Sequence, residues 1–431
     1  MKRSIGMLSV GAALSIAALV CMATPAAAGV LCAKNKSGQL VFRKNACKPK
    51  KETQIILADR VDDVGDRFSR LDGRIREIED KTVCMFATAT DTFFDGCNVH
   101  VVDGTGSTDC PDPADPTTCT GLGNLIVGYN EPSDPAAPEA RTGVHNVVVG
   151  TQHEYLSSGG LVAGSGNAIV APYATVTGGI GNVASGHSAS VSGGSVNRAS
   201  GSASSVSGGL QNTAEGNTST VNGGIKNIAS GTQASVTGGS TNRATGTASS
   251  VSGGLLNTAE ANTSAVSGGV KNIASATQAS VSGGSENQAT GTASSVSGGL
   301  GNTASGNSST VTGGRNNIAT GPRASVSGGL GNEAAGDGSS VSAGLRNRAQ
   351  GPRSSVSGGE DNVASASETS VTGGDENVAS GQNSTVSGGI ANEAAAVQSV
   401  VSGGALNVAD NDNCTVSGGR GIECAGALHR P

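Results

Sequence analysis

Five histidines, His100, His145, His153, His187 and His429, are scattered along a chain of 431 residues, and only His145, His153 and Glu154 lie close enough in sequence to suggest a metal site. They lack the short paired spacing of a zinc ligand set, so packing and loop roles are expected and no metal or cofactor is assigned. Gly104-Thr105-Gly106-Ser107 has the glycines of a phosphate loop without the lysine and following helix that would make it one. Acidic residues at 91–95 and 131–139 could act on a polysaccharide, as in phage tailspikes, if two carboxyls stood at the separation glycoside hydrolysis needs. No residue is assigned a catalytic role, and the expectation is a protein that is not an enzyme.

Cysteine carries the clearest covalent chemistry. Met1-Lys2-Arg3, the apolar stretch from Ile5 to Val20 and Ala26-Ala27-Ala28 before Gly29 read as a secretory signal peptide over 1–28. Cys21 falls inside it and fits a lipobox badly. Cys32, Cys47, Cys84, Cys97, Cys110, Cys119, Cys414 and Cys424 remain, an even number in an exported chain, for which disulfides are the default. Joining neighbours, 32 with 47, 84 with 97, 110 with 119 and 414 with 424, needs the least rearrangement of the chain. No later apolar run reaches the length of a membrane helix. A net charge of -6, no tryptophan and repeats without aromatics argue against nucleic acid as a partner.

The element that must position everything else is a repeat. From Val176 to Val416 a valine recurs at every fifteenth residue, seventeen times without insertion or deletion, and from Ala184 to Ala409 an alanine recurs in the same register sixteen times. A fixed short period marks a solenoid, in which each unit is stabilised by stacking on its neighbours. Valine to alanine is eight residues and alanine to valine seven, which predicts two short strands, two turns and two inward points per coil of a parallel β-roll. Ser/Thr flanks the valine, as in Ser190-Val191-Ser192, in the alternation of a strand with one buried face. Gly193-Gly194 and its equivalents supply tight turns, with Ala343-Gly344 the one lapse. Asn182 and its equivalents to Asn407 fit either a left-handed turn residue or an internal amide ladder.

One Val and one Ala per coil contribute little by burial, about 2 to 4 kcal/mol, so a lone roll is expected to be under-cored. Ile180, Leu210, Ile225, Leu255, Val270, Leu300, Leu330 and Ile390 form a discontinuous outer face that a partner chain could cover. Residues 191–235, 236–280 and 281–325 repeat nearly as blocks, as tandem duplication of a spacer would leave them.

Ahead of the roll lie a basic, disulfide-closed module at 29–56 and a heptad seam at 57–81. Leu57, Val61, Val64, Phe68, Leu71, Ile75 and Ile78 are spaced 4, 3, 4, 3, 4, 3, the a/d pattern of a coiled coil. β-branched Val64 and Ile78 at d favour more than two strands, and parallel chains would pair Arg67 with Asp72 and Arg74 with Glu79. Residues 82–175 hold six of the chain's eight aromatics, Phe86, Phe93, Phe94, Tyr129, Tyr155 and Tyr173, and are expected to contain the best-packed core, with irregular capping coils over 82–160. Strands are expected at Val99–Val102, Leu125–Gly128 and Val147–Gly150. The repeat roll then occupies 161–420, and 421–431 forms a disulfide-closed tail.

Asn146-Val147-Val148-Val149-Gly150, Leu161-Val162-Ala163-Gly164-Ser165-Gly166-Asn167 and the later Asn-x-Ala-Ser/Thr-Gly and Ser-Val-Ser-Gly-Gly segments resemble the head domain of trimeric autotransporter adhesins, of the YadA-like kind, over roughly 121–420. The resemblance implies an all-β solenoid, a left-handed parallel β-roll of three chains packed side by side, which binds matrix or other cells. Those adhesins place the head before the coiled coil and finish with a membrane β-barrel. Here the coil comes first and the chain ends Cys424-Ala425-Gly426-Ala427-Leu428-His429-Arg430-Pro431. The expectation is thus a homotrimeric fibre, exported to the cell surface or beyond, with an unidentified surface ligand. An ice-binding solenoid, suggested by the outward Ser/Thr ladder, and a polysaccharide-active fibre are the alternatives.

Overall fold

The structure, a computed structural model, describes residues 30–34, 40–43, 48, 52–54, 58–81, 84–112, 115–136 and 138–424, with side chains for Lys48, for 65–77 and from Cys84 onward except at Pro116. The expected signal peptide, Leu57, Cys47, the side chains of Cys32, Val61, Val64 and Ile78, and the expected tail beyond Cys424 lie outside the described residues. Two compact units divide the chain at Met1–His100 and Val101–Pro431.

In the first unit β1 (Val30–Lys34) pairs antiparallel with β2 (Leu40–Arg43) on one side and β3 (Glu52–Gln54) on the other. Helix α1 (Ala58–Lys81) covers the heptad segment. Phe68, Leu71 and Ile75 lie exposed on it, and Asp72 bonds to Arg76 one turn later at 3.1 Å. No helix among the described residues is long and apolar enough to cross a membrane. β4 (Met85–Ala87) and β5 (Thr92–Phe94) form a hairpin, and the Cys84–Cys97 disulfide joins its ends.

The expected aromatic core is not there. Phe86, Phe93 and Phe94 are exposed, as are Tyr129 and Tyr173, and of the six aromatics assigned to this stretch only Tyr155 is buried. A two-stranded hairpin has no second layer against which to bury a face, so Phe86 and Phe93 stack on each other at 4.8 Å instead. Val99–Val102 forms no strand. It runs across the division between the two units.

The second unit is a parallel β-solenoid. β6 (Leu125–Val127), β7 (Val147–Thr151) and β9 (Leu161–Ser165) begin one sheet, which continues through every valine strand to Thr415–Val416. β8 (Glu154–Tyr155) and β10 (Ala168–Ile169) begin a second, which continues through every alanine strand to Val408–Ala409. The first coil is wide, since Ile126 pairs with Val148, while Val148 to Val162 and Val162 to Val176 are fourteen-residue steps before the fifteen-residue register sets in.

A third ladder was not foreseen. The residue after each Gly-Gly pair bridges its equivalent in the next coil, from Ile180 through Ser195, Leu210 and Ile225 to Arg420. Each coil thus has three backbone ladders, and more than two inward points. Besides Val191 and Ala199, the interior receives Asn197 and the residue ahead of the valine strand, Ala189 or Ser204, all 1% exposed or less. The interior is partly polar, and the apparent shortage of core is met in part by hydrogen bonds.

The asparagine column settles its two expected roles in favour of the ladder. The backbone N–H of Asn197 donates to Oδ1 of Asn182 at 2.9 Å, and its Nδ2 donates to the carbonyls of Gly193 and Gly209, both at 2.9 Å. Every Asn from 182 to 407 repeats this set. Left-handed residues stand elsewhere, one of them directly before it, where Val196, Gln211, Lys226, Thr241 and Leu256 have φ between 55° and 59°, and a second in the other turn at Ser188, Ala203 and Thr218. Conformations this unusual for branched or bulky residues are held by the coil-to-coil bonds on either side, such as Val196 N–H to Ile180 O at 2.9 Å. The second glycine of each pair must be glycine. Gly194 has φ +83°, and a Cβ there would run into Gly209 and the Asn197 amide.

At its C-terminal end the ladder stops on a residue that cannot extend it. Ile422 stands in the Asn register, donates its N–H to Asn407 Oδ1 at 2.9 Å and offers no amide onward. Cys414 and Cys424 take the Ser and Ala places of the last coil and are joined through its interior.

Asn272→Ala, in mid-stack, strands the Gly268 carbonyl and the Asn287 N–H, and leaves the Gly284 carbonyl with the Val270 N–H alone. Each buried orphan costs about 1–3 kcal/mol, so a loss of at least ~2 kcal/mol is expected by denaturant titration. Ser249→Ala, in a buried column that already holds Ala234 and Ala279, should shift stability by less than ~0.5 kcal/mol.

Candidate functional site

The residues with chemical potential gather at the start of the second unit, where the loop closed by the Cys110–Cys119 disulfide is fastened to the first coils. Asp109 is the main fastening. Its carboxylate accepts hydrogen bonds from Tyr173 Oη at 2.8 and 2.9 Å and from Ser158 Oγ at 2.8 Å. These bonds hold the Asp109 carboxyl below its ordinary range and push the Tyr173 phenol above its own. Tyr173 in turn meets the His187 ring of the next coil edge-on, at 5.5 Å between centroids.

The second fastening is His145. Its Nδ1 donates to Thr108 O at 2.9 Å, which leaves Nε2 to accept the N–H of Asp103 at 3.2 Å. Asp103 closes the glycine loop that follows it: Thr105 N–H and Oγ1 both donate to Asp103 Oδ1, and Thr120 Oγ1 donates to Oδ2. Those bonds, the Thr105 backbone first, hold its carboxyl below the usual range. The segment 104–107 is therefore a turn wrapped on a carboxylate of its own chain, in the place where a phosphate loop would hold an anion.

His153 belongs to the fold. It stands fourteen residues before Asn167, fully buried at the head of the asparagine column. Its N–H donates to Asn130 Oδ1 at 2.8 Å, its Nδ1 accepts the N–H of Asn167 at 3.3 Å, and its Nε2 donates to Val149 O at 2.9 Å. The ring does the work of an amide, with acceptor and donor in the same order. His145 and His153 each have their one ring lone pair occupied by a backbone N–H, and neither is left as a metal ligand. Among the described residues no group of three His, Cys, Asp or Glu is placed to hold a metal ion.

In the acidic stretch 131–139, hydrogen bonds from Ser133 hold the Glu139 carboxyl down at about 2. Glu139 also pairs with Arg141 at 3.1 Å, whose Nε reaches His153 O at 3.3 Å. An acid this strong is ionised at every ordinary pH and has no proton to donate.

No known family model matches the chain, and no curated protein matches it. What it presents besides the junction is surface. The valine sheet carries two outward ranks of Ser/Thr, as at Thr175 and Thr177 or Ser190 and Ser192, and the third ladder carries exposed apolar residues. In the later coils the turns carry cross-coil ion pairs, Arg323 to Asp337 at 2.7 Å, Arg346 to Glu360 at 2.8 Å and Arg353 to Glu368. Exposed pairs of this kind contribute little to stability.

Reading by residue type missed Asp109, Ser158 and Tyr173, which are far apart in the chain. It expected a packing role for His153 but not its place in the asparagine column, for which the fourteen-residue offset from Asn167 is the one signal. Because the Asp109 carboxyl is lowered in the folded state, its contribution is full above the ordinary carboxylate pKa and is lost as pH falls through the lowered value. Hydrogen exchange in 101–121 should therefore accelerate as pH drops below that range, after correction for intrinsic exchange. Asp109→Asn should show the faster rate already at neutral pH.

Proposed function

We propose that this protein is an exported structural and adhesive fibre, in which parallel copies of the chain assemble as a trimer. The heptad seam of 57–81 would nucleate the assembly as a coiled coil, and the solenoids would lie side by side as left-handed rolls displaying a repetitive Ser/Thr/Asn surface to cells, matrix or envelope. The observation that carries this reading is the uninterrupted stack of coils in one register, whose outward Ser/Thr ranks recur in nearly every coil while the inward columns stay fixed. A surface of that kind suits multivalent attachment and spacing, because each weak contact recurs at every coil, about 4.8 Å apart.

Two further features support it. Phe68, Leu71 and Ile75 lie exposed on one seam of α1, as helix faces awaiting other copies would. Three disulfides in the described residues favour an oxidising, extracytoplasmic compartment. The regular hydroxyl ranks on the valine sheet favour ice binding as a second reading, which requires thermal hysteresis from the purified chain.

Light scattering on the intact exported chain should give a trimer mass, and Phe68→Asp with Leu71→Asp should lower it. Surface retention on matrix proteins or glycans should fall with that loss of valency. A monomeric wild-type chain would overturn the assembly.

A further inference from the structure

We propose that the side of the roll marked by the third ladder is the face on which copies of this chain pack against one another, in parallel register. The glycine row two residues ahead of that ladder would let the neighbouring backbone come close. The inference rests on the reading that the chain assembles with itself.

Leu210, Ile225, Leu255, Val270, Leu300 and Leu330 occupy the ladder in strict fifteen-residue register, and each is between 38% and 46% exposed. Six side chains exposed to that degree offer about 400–500 Å² in one straight line, and the backbone beside them brings the face towards the ~800 Å² per partner of a specific interface. Of the three intervening places, Ser240 and Ser285 hold small groups and Arg315 a long one whose charge can reach past the apolar line to solvent.

The glycine row is a separate observation. Gly193, Gly208, Gly223, Gly238, Gly253 and Gly268 do not have left-handed backbone, and a Cβ on any of them would meet no atom of its own chain. The coil itself therefore has no need of glycine there, and Ala343 occupies the same place in a later coil. Yet the ladder two residues on varies among Ser, Leu, Ile, Val, Arg, Glu and Asp while this row stays glycine in nearly every coil. A residue held small without a reason inside the chain points to a contact outside it.

Pitch selects the occupant. The face repeats at the spacing of stacked strands, roughly 4.8 Å, and another roll of the same chain keeps that register over every coil. The helix seam would bring like-numbered residues together, which makes the packing parallel.

The test is cysteine cross-linking in the full chain. Leu255→Cys should cross-link between copies with a short bismaleimide, whereas Thr247→Cys, on an exposed turn outside the ladder and the glycine row, should not. Adding Gly253→Leu to the first variant should cut the cross-linked yield at least tenfold while leaving the circular dichroism unchanged, because the coil tolerates a side chain there. A chain that associates by light scattering but cross-links no better through position 255 than through 247 would overturn this face and leave the assembly reading standing. A chain that is monomeric at all concentrations overturns both.

Discussion

The buried amide of the asparagine column is the interaction on which the solenoid depends. Fifteen residues with one valine and one alanine at the centre cannot close a coil by apolar burial alone, because fixing the backbone costs about 1 kcal/mol or more per residue. The asparagine closes it by bonding. Each side chain satisfies two carbonyls, one in its own coil and one in the next, while its oxygen receives the N–H of the following asparagine. An amide carries donors and an acceptor on one rigid plane, so a single side chain replaces three separate satisfactions in a dry interior. The second glycine, the left-handed residue before the asparagine and the third ladder are all arranged around that plane.

The division between fixed and variable positions follows from this. Inward columns admit only what the amide and its neighbours leave room for, while outward positions are free of the fold and vary with the surface. The two ends show the same logic by departing from it. At the start an imidazole substitutes for the amide with the same order of donor and acceptor, in coils wide enough to bury Tyr155 and Ile169 where later coils have alanine. At the finish an isoleucine ends the ladder and a disulfide fills the interior that Ser and Ala fill elsewhere.

The period, the inward valine and alanine and the need for glycine in the turns were legible in the sequence, because each is a column of one residue type. The cross-section of the coil was not. The left-handed position before the asparagine is held by Val196, Lys226, Thr241 and Leu256, residues that carry no turn signal, since the neighbouring ladders impose the conformation. The third ladder hid for the same reason, its members ranging from leucine to aspartate. At the junction, Asp109, Ser158 and Tyr173 converge across up to 64 residues of sequence, and no local pattern announces such a contact. The exposed phenylalanines of the hairpin show the opposite limit, where composition suggested a core that two strands cannot supply.

Identical coils bonded only to their neighbours also define how the second unit yields to a pull along its axis. A coil peeled from the stack releases fifteen residues, roughly 50 Å of extended chain, in place of the ~4.8 Å it occupied. Each release breaks the same set of bonds as the last. Under load the solenoid would lengthen in equal steps at a nearly constant force, absorbing work in proportion to its number of coils. The Cys414–Cys424 bridge withholds the segment it encloses from that extension, so that the terminal coil resists unravelling from its own end.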